Sequence, residues 1–282
     1  MIDLHIHTTC SDGTDDPVEI LKKAEAQGLT HISITDHSTV EAYFKVDDMG
    51  KYYTGRIIHG VEVEFVYRGR LVEFLGYDID VVKMREMLEE VYIPRDDIWA
   101  IQMKEMHTKM MAAGVRFSDG ILDTWDRTKH YYPTCHLHAD LKKYPENRKF
   151  VPDGEDWDNG IQFFRNYISN EKSPYYIDFS QFYPTVQKAY DMIRKAGGKV
   201  FIPHIWLFGK DALCFLEEWC AKFEIDGIEC FYPAFTKEQT EYLVKFCEDR
   251  GYLMSAGSDY HGMQRSNELG TKIYAEKLGW LD

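Results

Sequence analysis

The sequence predicts an α/β fold, a parallel sheet closed into a barrel and interrupted by a mostly helical insertion. Three observations carry this expectation. Strand and helix patterns alternate over residues 1–80 and resume over 176–282. Between 81 and 175 the strand patterns nearly vanish. Histidines and carboxylates fall at the ends of several predicted strands, where barrels of alternating strand and helix gather their chemistry. A length of 282 residues suits one large domain, or a domain carrying a sizeable insertion.

The elements follow in order. Residues 2–7, Ile-Asp-Leu-His-Ile-His, alternate as a strand does. A helix is expected from Pro17 to Gln27, because Asp16 is a good N-cap, Pro17 suits the first helical position, Glu19 completes a capping box and Gly28 stops the helix. Further strands are expected at 31–36, 56–64, 71–77, 199–204, 227–231 and 252–256, with helices near 184–196, 210–222 and 236–249. Within the insertion, 95–113 reads as one helix whose Trp99, Met103, Met106 and Met110 form a packing stripe. The run 151–160 reads as turns. The insertion is placed as a cap over one end of the barrel.

Composition narrows the function. Hydrophobic residues at 44% and charged residues at 28% describe a folded globule rather than a disordered chain. No apolar run reaches the roughly 18 residues that a membrane helix needs, and the N-terminus carries neither a basic nor an apolar signal region. Six scattered cysteines include no Cys-x-x-Cys pair, which argues against a zinc finger or dithiol redox site and for reduced thiols in the cytoplasm. A net charge of −14 repels long polyanions, so no long nucleic acid and no membrane is expected as a partner. A small phosphorylated substrate remains compatible, provided that a local cation overrides the global field. Oligomeric state is left open.

The chemistry lies in the strand ends. His5 and His7 sit two apart on a strand, so both rings share a face, and Asp12 follows in a Ser-Asp-Gly turn. Asp36-His37 ends the second strand, Glu62 and Glu64 end the third, His204 ends a late strand, and Asp259 and His261 follow the last. A single histidine is usually an ordinary core or surface residue. Five at matching positions, among carboxylates, point to a site for Zn, Mn or Fe. His31, His59, His107, His130 and His138 lack that placement and are read as ordinary residues.

These segments together resemble a known family. Asp3-Leu-His-Ile-His7 through Ser11-Asp-Gly13, Ile34-Thr-Asp-His37, Gly60-Val-Glu62, Pro203-His204 and Gly257-Ser-Asp-Tyr-His-Gly262 are similar to the ordered motifs of the PHP family, the polymerase and histidinol phosphatase domain. The resemblance implies a distorted barrel of seven strands and helices. It also implies two to three divalent transition metal ions (Mn, Fe or Zn) and hydrolysis of phosphate esters by a metal-bridged hydroxide. The substrate it suggests is a small metabolite, in particular a nucleoside monophosphate or 3′,5′-bisphosphate. A 5′–3′ exonuclease acting on short oligoribonucleotides is the alternative.

Carried over by position, one metal takes His5, His7, Glu62 and Asp259, a second shares Glu62 and takes His204, and a third takes Asp12, His37 and His261. His136 matches a family histidine that contacts substrate phosphate, and Arg265 is a second candidate for that contact. Asp259 or His261 is the candidate proton donor to the leaving group. Two positions depart from the family: Glu73 stands where a histidine ligand of the second metal is usual, and Ile205 follows His204 in place of proline. Two other classes are weighed. A non-catalytic metal-holding scaffold would have lost several ligands, whereas only position 73 is altered. A metal-dependent amidohydrolase would want a carboxylated lysine ending a middle strand, and no lysine stands there.

Overall fold

The computed structural model describes residues 1–126, 132–264 and 266–281. In chain order the elements are β1 (Ile2–Ile6), α1 (Pro17–Ala26), β2 (His31–Ile34), α2 (Ala42–Lys45), β3 (Arg56–Ile57), β4 (Gly60–Tyr67), β5 (Arg70–Tyr77), α3 (Val81–Val91) and α4 (Arg95–Ala112). They continue with α5 (Pro133–Leu141), α6 (Gly154–Asp158), α7 (Gly160–Phe163), α8 (Val186–Lys195), β6 (Lys199–Ile202), α9 (Ala212–Lys222), β7 (Gly227–Phe231), α10 (Lys237–Arg250) and β8 (Leu253–Ala256).

Two compact units share the chain. The first comprises Met1–Glu64, Glu73–Glu90 and Val186–Asp282, and the second Phe65–Val72 and Val91–Thr185. The sequence boundaries of 81 and 175 therefore shift. The apolar run Tyr175, Ile177, Phe179, Phe182 and Tyr183 packs with Met103, Met106 and Met110, which draws the second unit out to 185.

The strands form two sheets. In one, β1, β2 and β3 lie side by side and parallel. In the other the order is β4-β5-β6-β7-β8, with β5 antiparallel to β6 and the remaining pairs from β6 to β8 parallel. A continuous all-parallel sheet is thus not formed. The reason is local: Arg68 at φ +50 and Gly69 at φ +72 make a two-residue turn between β4 and β5, and that turn reverses the chain without a helix. The expected strand at 56–64 also divides, into β3 and β4. Isolated parallel bridges between Ile6 and Tyr260 and between His37 and Glu62 link the two sheets.

Local chemistry explains the helices. The Asp16 carboxylate accepts the Glu19 amide at 2.9 Å, and the Glu19 carboxylate accepts the Asp16 amide at 3.0 Å. Thr236 and Gln239 repeat the arrangement at the start of α10. Ile20, Leu21 and Ala24 then bury one face of α1 with Ile6, Ile32 and Ile34. Ile2 and Leu4 instead join Leu75, Tyr77, Phe201 and Ala256. Alternation leaves Asp3, His5 and His7 on the other side of β1, and all three are buried.

In the second unit the stripe on α4 is core, as its spacing predicts: Trp99, Met103, Met106 and Met110 are all buried. The turn-rich run at 151–160 holds a short helix that its composition concealed. The Asp153 carboxylate accepts the amides of Glu155 and Asp156 and starts α6.

Candidate metal centre

The side chains singled out by sequence converge in the first unit. Neighbouring ligand atoms form three overlapping groups: His7, Asp12, His37 and His261; His5, Glu62 and His204; and His5, His7 and Asp259. Glu62 is the hub. Its Oε2 lies 3.2 Å from His5 Nε2, 3.3 Å from His7 Nε2 and 3.2 Å from His37 Nδ1, and its Oε1 lies 2.9 Å from His204 Nε2. Asp12 meets His37 and His261 at 3.3 Å each and His7 at 3.5 Å. Asp259 Oδ1 stands 3.2 Å from His7 and 3.3 Å from His261.

Each ligand is set by its backbone. The Asp36 carboxylate accepts the Thr8 amide and hydroxyl at 2.7 Å each and the Ser11 hydroxyl at 2.5 Å, and so shapes the loop that carries Asp12. Gly257 makes room for His5, since a Cβ there would come within 2.1 Å of the His5 Cβ. His204 (φ +22) and Asp259 (φ +51) both adopt left-handed backbone conformations that non-glycine residues avoid. The Asp259 carbonyl accepts from His261 Nδ1 at 2.8 Å, which orients that ring.

Electrostatics describe a site built for cations. Burial pulls the His37 imidazole down, but Asp12 and Glu62 outweigh it and push the group up to about 10. His5 is likewise held well above its ordinary value: burial opposes this, and Glu62, Glu229 and Asp259 prevail. Asp12 and Glu62 are fully buried, yet facing imidazoles keep both well below the usual carboxylate range. Protons here do the work that a metal charge can do instead.

Two observations test the fit to metal. Ligands bound at about 2.0–2.2 Å in tetrahedral or octahedral geometry stand about 2.8–3.6 Å apart. The Nε2 atoms of His5 and His7 are 3.1 Å apart, and their distances to Asp259 Oδ1 are 3.6 and 3.2 Å. Glu62 Oε2 and His7 Nδ1 are also buried without a hydrogen bond, a state that water or an ion normally relieves. The residues fit a divalent metal.

The other expectations fare differently. Glu73 sits half-buried on β5, its carboxyl pushed up to about 7 by burial and by Glu62. It belongs to none of the three groups among the described residues. His136 lies in the second unit, where its Nε2 is 3.1 Å from the Ile121 carbonyl and 3.3 Å from the Thr124 hydroxyl. Arg265 and His130 lie outside the described residues. No disulfide joins the six cysteines, and no helix of the described residues is long and apolar enough to cross a membrane.

Sequence reasoning missed the residues behind the ligands. Glu229 accepts from His5 Nδ1 at 3.0 Å and from the His204 amide at 2.8 Å. Asp3 accepts the amides of His5, Ser258 and Gly270. The Tyr232 hydroxyl donates to Asp259 Oδ2 at 2.9 Å. A signal existed for the two carboxylates: each stands alone between apolar residues of a strand, where an unpaired charge is rarely tolerated.

Comparisons with known proteins identify the family. The PHP domain matches residues 3–146. A 5′–3′ exoribonuclease from Haemophilus influenzae is 25% identical over 280 residues, which span 96% of this chain and 93% of that one. A 3′,5′-nucleoside bisphosphate phosphatase from Chromobacterium violaceum is 24% identical over 92% of this chain and 87% of its own. A solved structure from Bifidobacterium adolescentis, provisionally assigned as a metal-dependent phosphoesterase, superposes with a TM-score of 0.66 at 20% identity, covering 99% of this chain and 93% of that one. The match over half the sequence and the convergence of its motif residues on one centre lead to one conclusion: the chain belongs to the PHP domain family, and its chemistry is the hydrolysis of phosphoric esters.

Proposed function

We propose that the protein hydrolyses the phosphate ester of a small nucleotide, a nucleoside monophosphate or 3′,5′-bisphosphate, at a centre of two to three Mn, Fe or Zn ions. The observation that carries this reading is the sharing of His5 and His7 among adjoining ligand groups, with Glu62 Oε2 within 3.3 Å of both rings, because shared ligands place ions close together. The bisphosphate phosphatase from Chromobacterium violaceum supports the nucleotide class.

His5, His7, Glu62 and Asp259 hold one ion, Glu62 and His204 a second with Glu73 as a further ligand, and Asp12, His37 and His261 a third. Bound there, divalent ions acidify water and offset charge on the phosphoryl oxygens. The protein's own residues do the rest. Glu62 holds the ligand groups in register. His136 and Arg265 bind the substrate phosphate. Asp259 or His261 passes a proton to the departing alkoxide oxygen. The two bridged sheets are read as parts of a distorted (β/α)7 barrel, and cysteines without a disulfide favour the cytoplasm.

A second reading has its own support. The exoribonuclease relative aligns over nearly its whole length, so short 5′-phosphorylated oligoribonucleotides are candidate substrates. The net charge of −14 disfavours long strands. A release assay separates the two: 3′,5′-bisphosphates, monophosphates and 5′-phosphorylated tetranucleotides, each with Mn, Fe or Zn added. Inorganic phosphate from mononucleotides supports the first reading, and stepwise release of mononucleotides supports the second. His7→Asn should abolish metal uptake and turnover together. Hydrolysis that persists in chelator would refute both readings.

A further inference from the structure

The end of β7 faces the metal centre from behind, and no ligand comes from it. The parallel pairing of Ile202 with Ile228 brings the end of β6 beside Glu229, whose two oxygens serve two different strands. Oε1 accepts from His5 Nδ1 at 3.0 Å, and Oε2 accepts from the His204 amide at 2.8 Å. Both contacts are buried, and Glu229 is fully buried itself. Gly257 permits the arrangement: a Cβ there would stand 2.6 Å from Glu229 Oε1 as well as striking His5.

We propose that Glu229 is a positioning residue, fixing the tautomer of His5 and the backbone of His204 so that both present their ring nitrogens to metal. The inference rests on the reading of the centre as a metal site and adds to it a residue that holds the ligands. A neutral imidazole carries one proton. Given to Glu229 from Nδ1, that proton leaves the lone pair on Nε2, the atom that meets His7 Nε2 at 3.1 Å and Glu62 Oε2 at 3.2 Å. The second oxygen offsets a strain. His204 sits at φ +22, and a charge-assisted hydrogen bond to its amide holds it there. One buried carboxylate therefore aligns ligands that are 199 positions apart in sequence, as the numbers 5 and 204 show.

Glu229→Gln separates positioning from packing, because it keeps shape and size. To keep the His204 amide bond, the glutamine must turn its oxygen towards residue 204 and its NH2 towards His5. His5 Nδ1 then has to accept, its proton moves to Nε2, and the ligating atom is blocked.

The test is zinc binding by chelator competition, with 15N NMR of the histidine rings in zinc-saturated protein. The expected result is a 10- to 100-fold loss of zinc affinity in E229Q, the range seen when the support of a metal-bound histidine is removed. Native protein should show His5 protonated at Nδ1, and E229Q should lose that signal. The variant E229D keeps the charge on a shorter arm and should recover part of the affinity with the native tautomer, which also covers failure of E229Q to fold. Unchanged affinity and an unchanged His5 signal in E229Q, in a native protein that binds zinc, would overturn this inference alone. Failure of the native protein to bind zinc at all would overturn both this inference and the metal reading beneath it.

Discussion

Replacing Glu62 by Gln should damage the protein twice, once without metal and once with it. In metal-free protein the Glu62 carboxylate faces His5, His7, His37 and His204 between 2.9 and 3.3 Å. A unit charge pair at 3.2 Å is worth about 5 kcal/mol at an effective dielectric of 20, and desolvation returns part of that. Breaking a buried pair by removing one partner costs about 3–5 kcal/mol net. At about 2 °C per kcal/mol for a chain of this size, the melting temperature in chelator should fall by about 6–10 °C.

The loss should also depend on pH in a definite sense. The carboxylate is depressed, so its share of the stability is present above its ordinary value of 4.5 and is lost as pH falls from there. His37 is raised to about 10, so its share is complete below 6.5 and is lost as pH rises through about 10. The gap between wild type and E62Q should therefore be widest between pH 4.5 and 6.5 and should narrow towards pH 10. The assay is thermal unfolding in chelator across that range, followed by elemental analysis after metal reconstitution. The variant should lose at least one equivalent of metal, because the proposed centre uses Glu62 as a ligand of two ions. A melting temperature within about 2 °C of wild type at every pH, with metal content unchanged, would refute the reasoning.

Three other perturbations are informative. His136→Ala should lower turnover of a phosphate ester by at least 10-fold and leave metal content intact, measured by phosphate release and elemental analysis; loss of metal would make His136 a ligand instead. Glu73→His should bind at least as much metal and move the pH optimum of hydrolysis downward, because an imidazole leaves the centre more positive; an unchanged profile and stoichiometry would place residue 73 outside the centre. His138, pulled down to about 4 by burial, is neutral when folded and titrates near 6.5 when unfolded, so its environment favours the fold above 6.5 and loses that advantage as pH falls towards 4. His138→Gln should accordingly flatten the acid limb of thermal stability for the second unit, and a parallel limb in the variant would show that His138 does not set it.

Much of this molecule can be read from residue order because its chemistry follows the period of its strands. His5 and His7 share a face on β1, and the capping pair Asp16 and Glu19 marks the start of α1. What resisted reading depends on contacts between distant segments. Nothing local to Gly-Ile-Glu-Cys-Phe shows that Glu229 supports a histidine 224 positions away. The antiparallel place of β5 turns on the left-handed pair Arg68-Gly69, and arginine is not a residue that announces such a turn. The reach of the second unit to Thr185 depends on which core receives the aromatic run at 175–183, and burial rather than alternation decides that.

The span of the centre along the chain, from His5 to His261, also has a meaning in time. A ribosome adds roughly 5–20 residues per second, so about 13–50 s separate the synthesis of the first ligand from that of the last. Throughout that interval His7 lacks Asp259, and Asp12 lacks His261. A hydrolase of phosphate esters thus leaves the ribosome with its first ligands unpartnered, and its centre is complete only once Asp259 and His261 have been added.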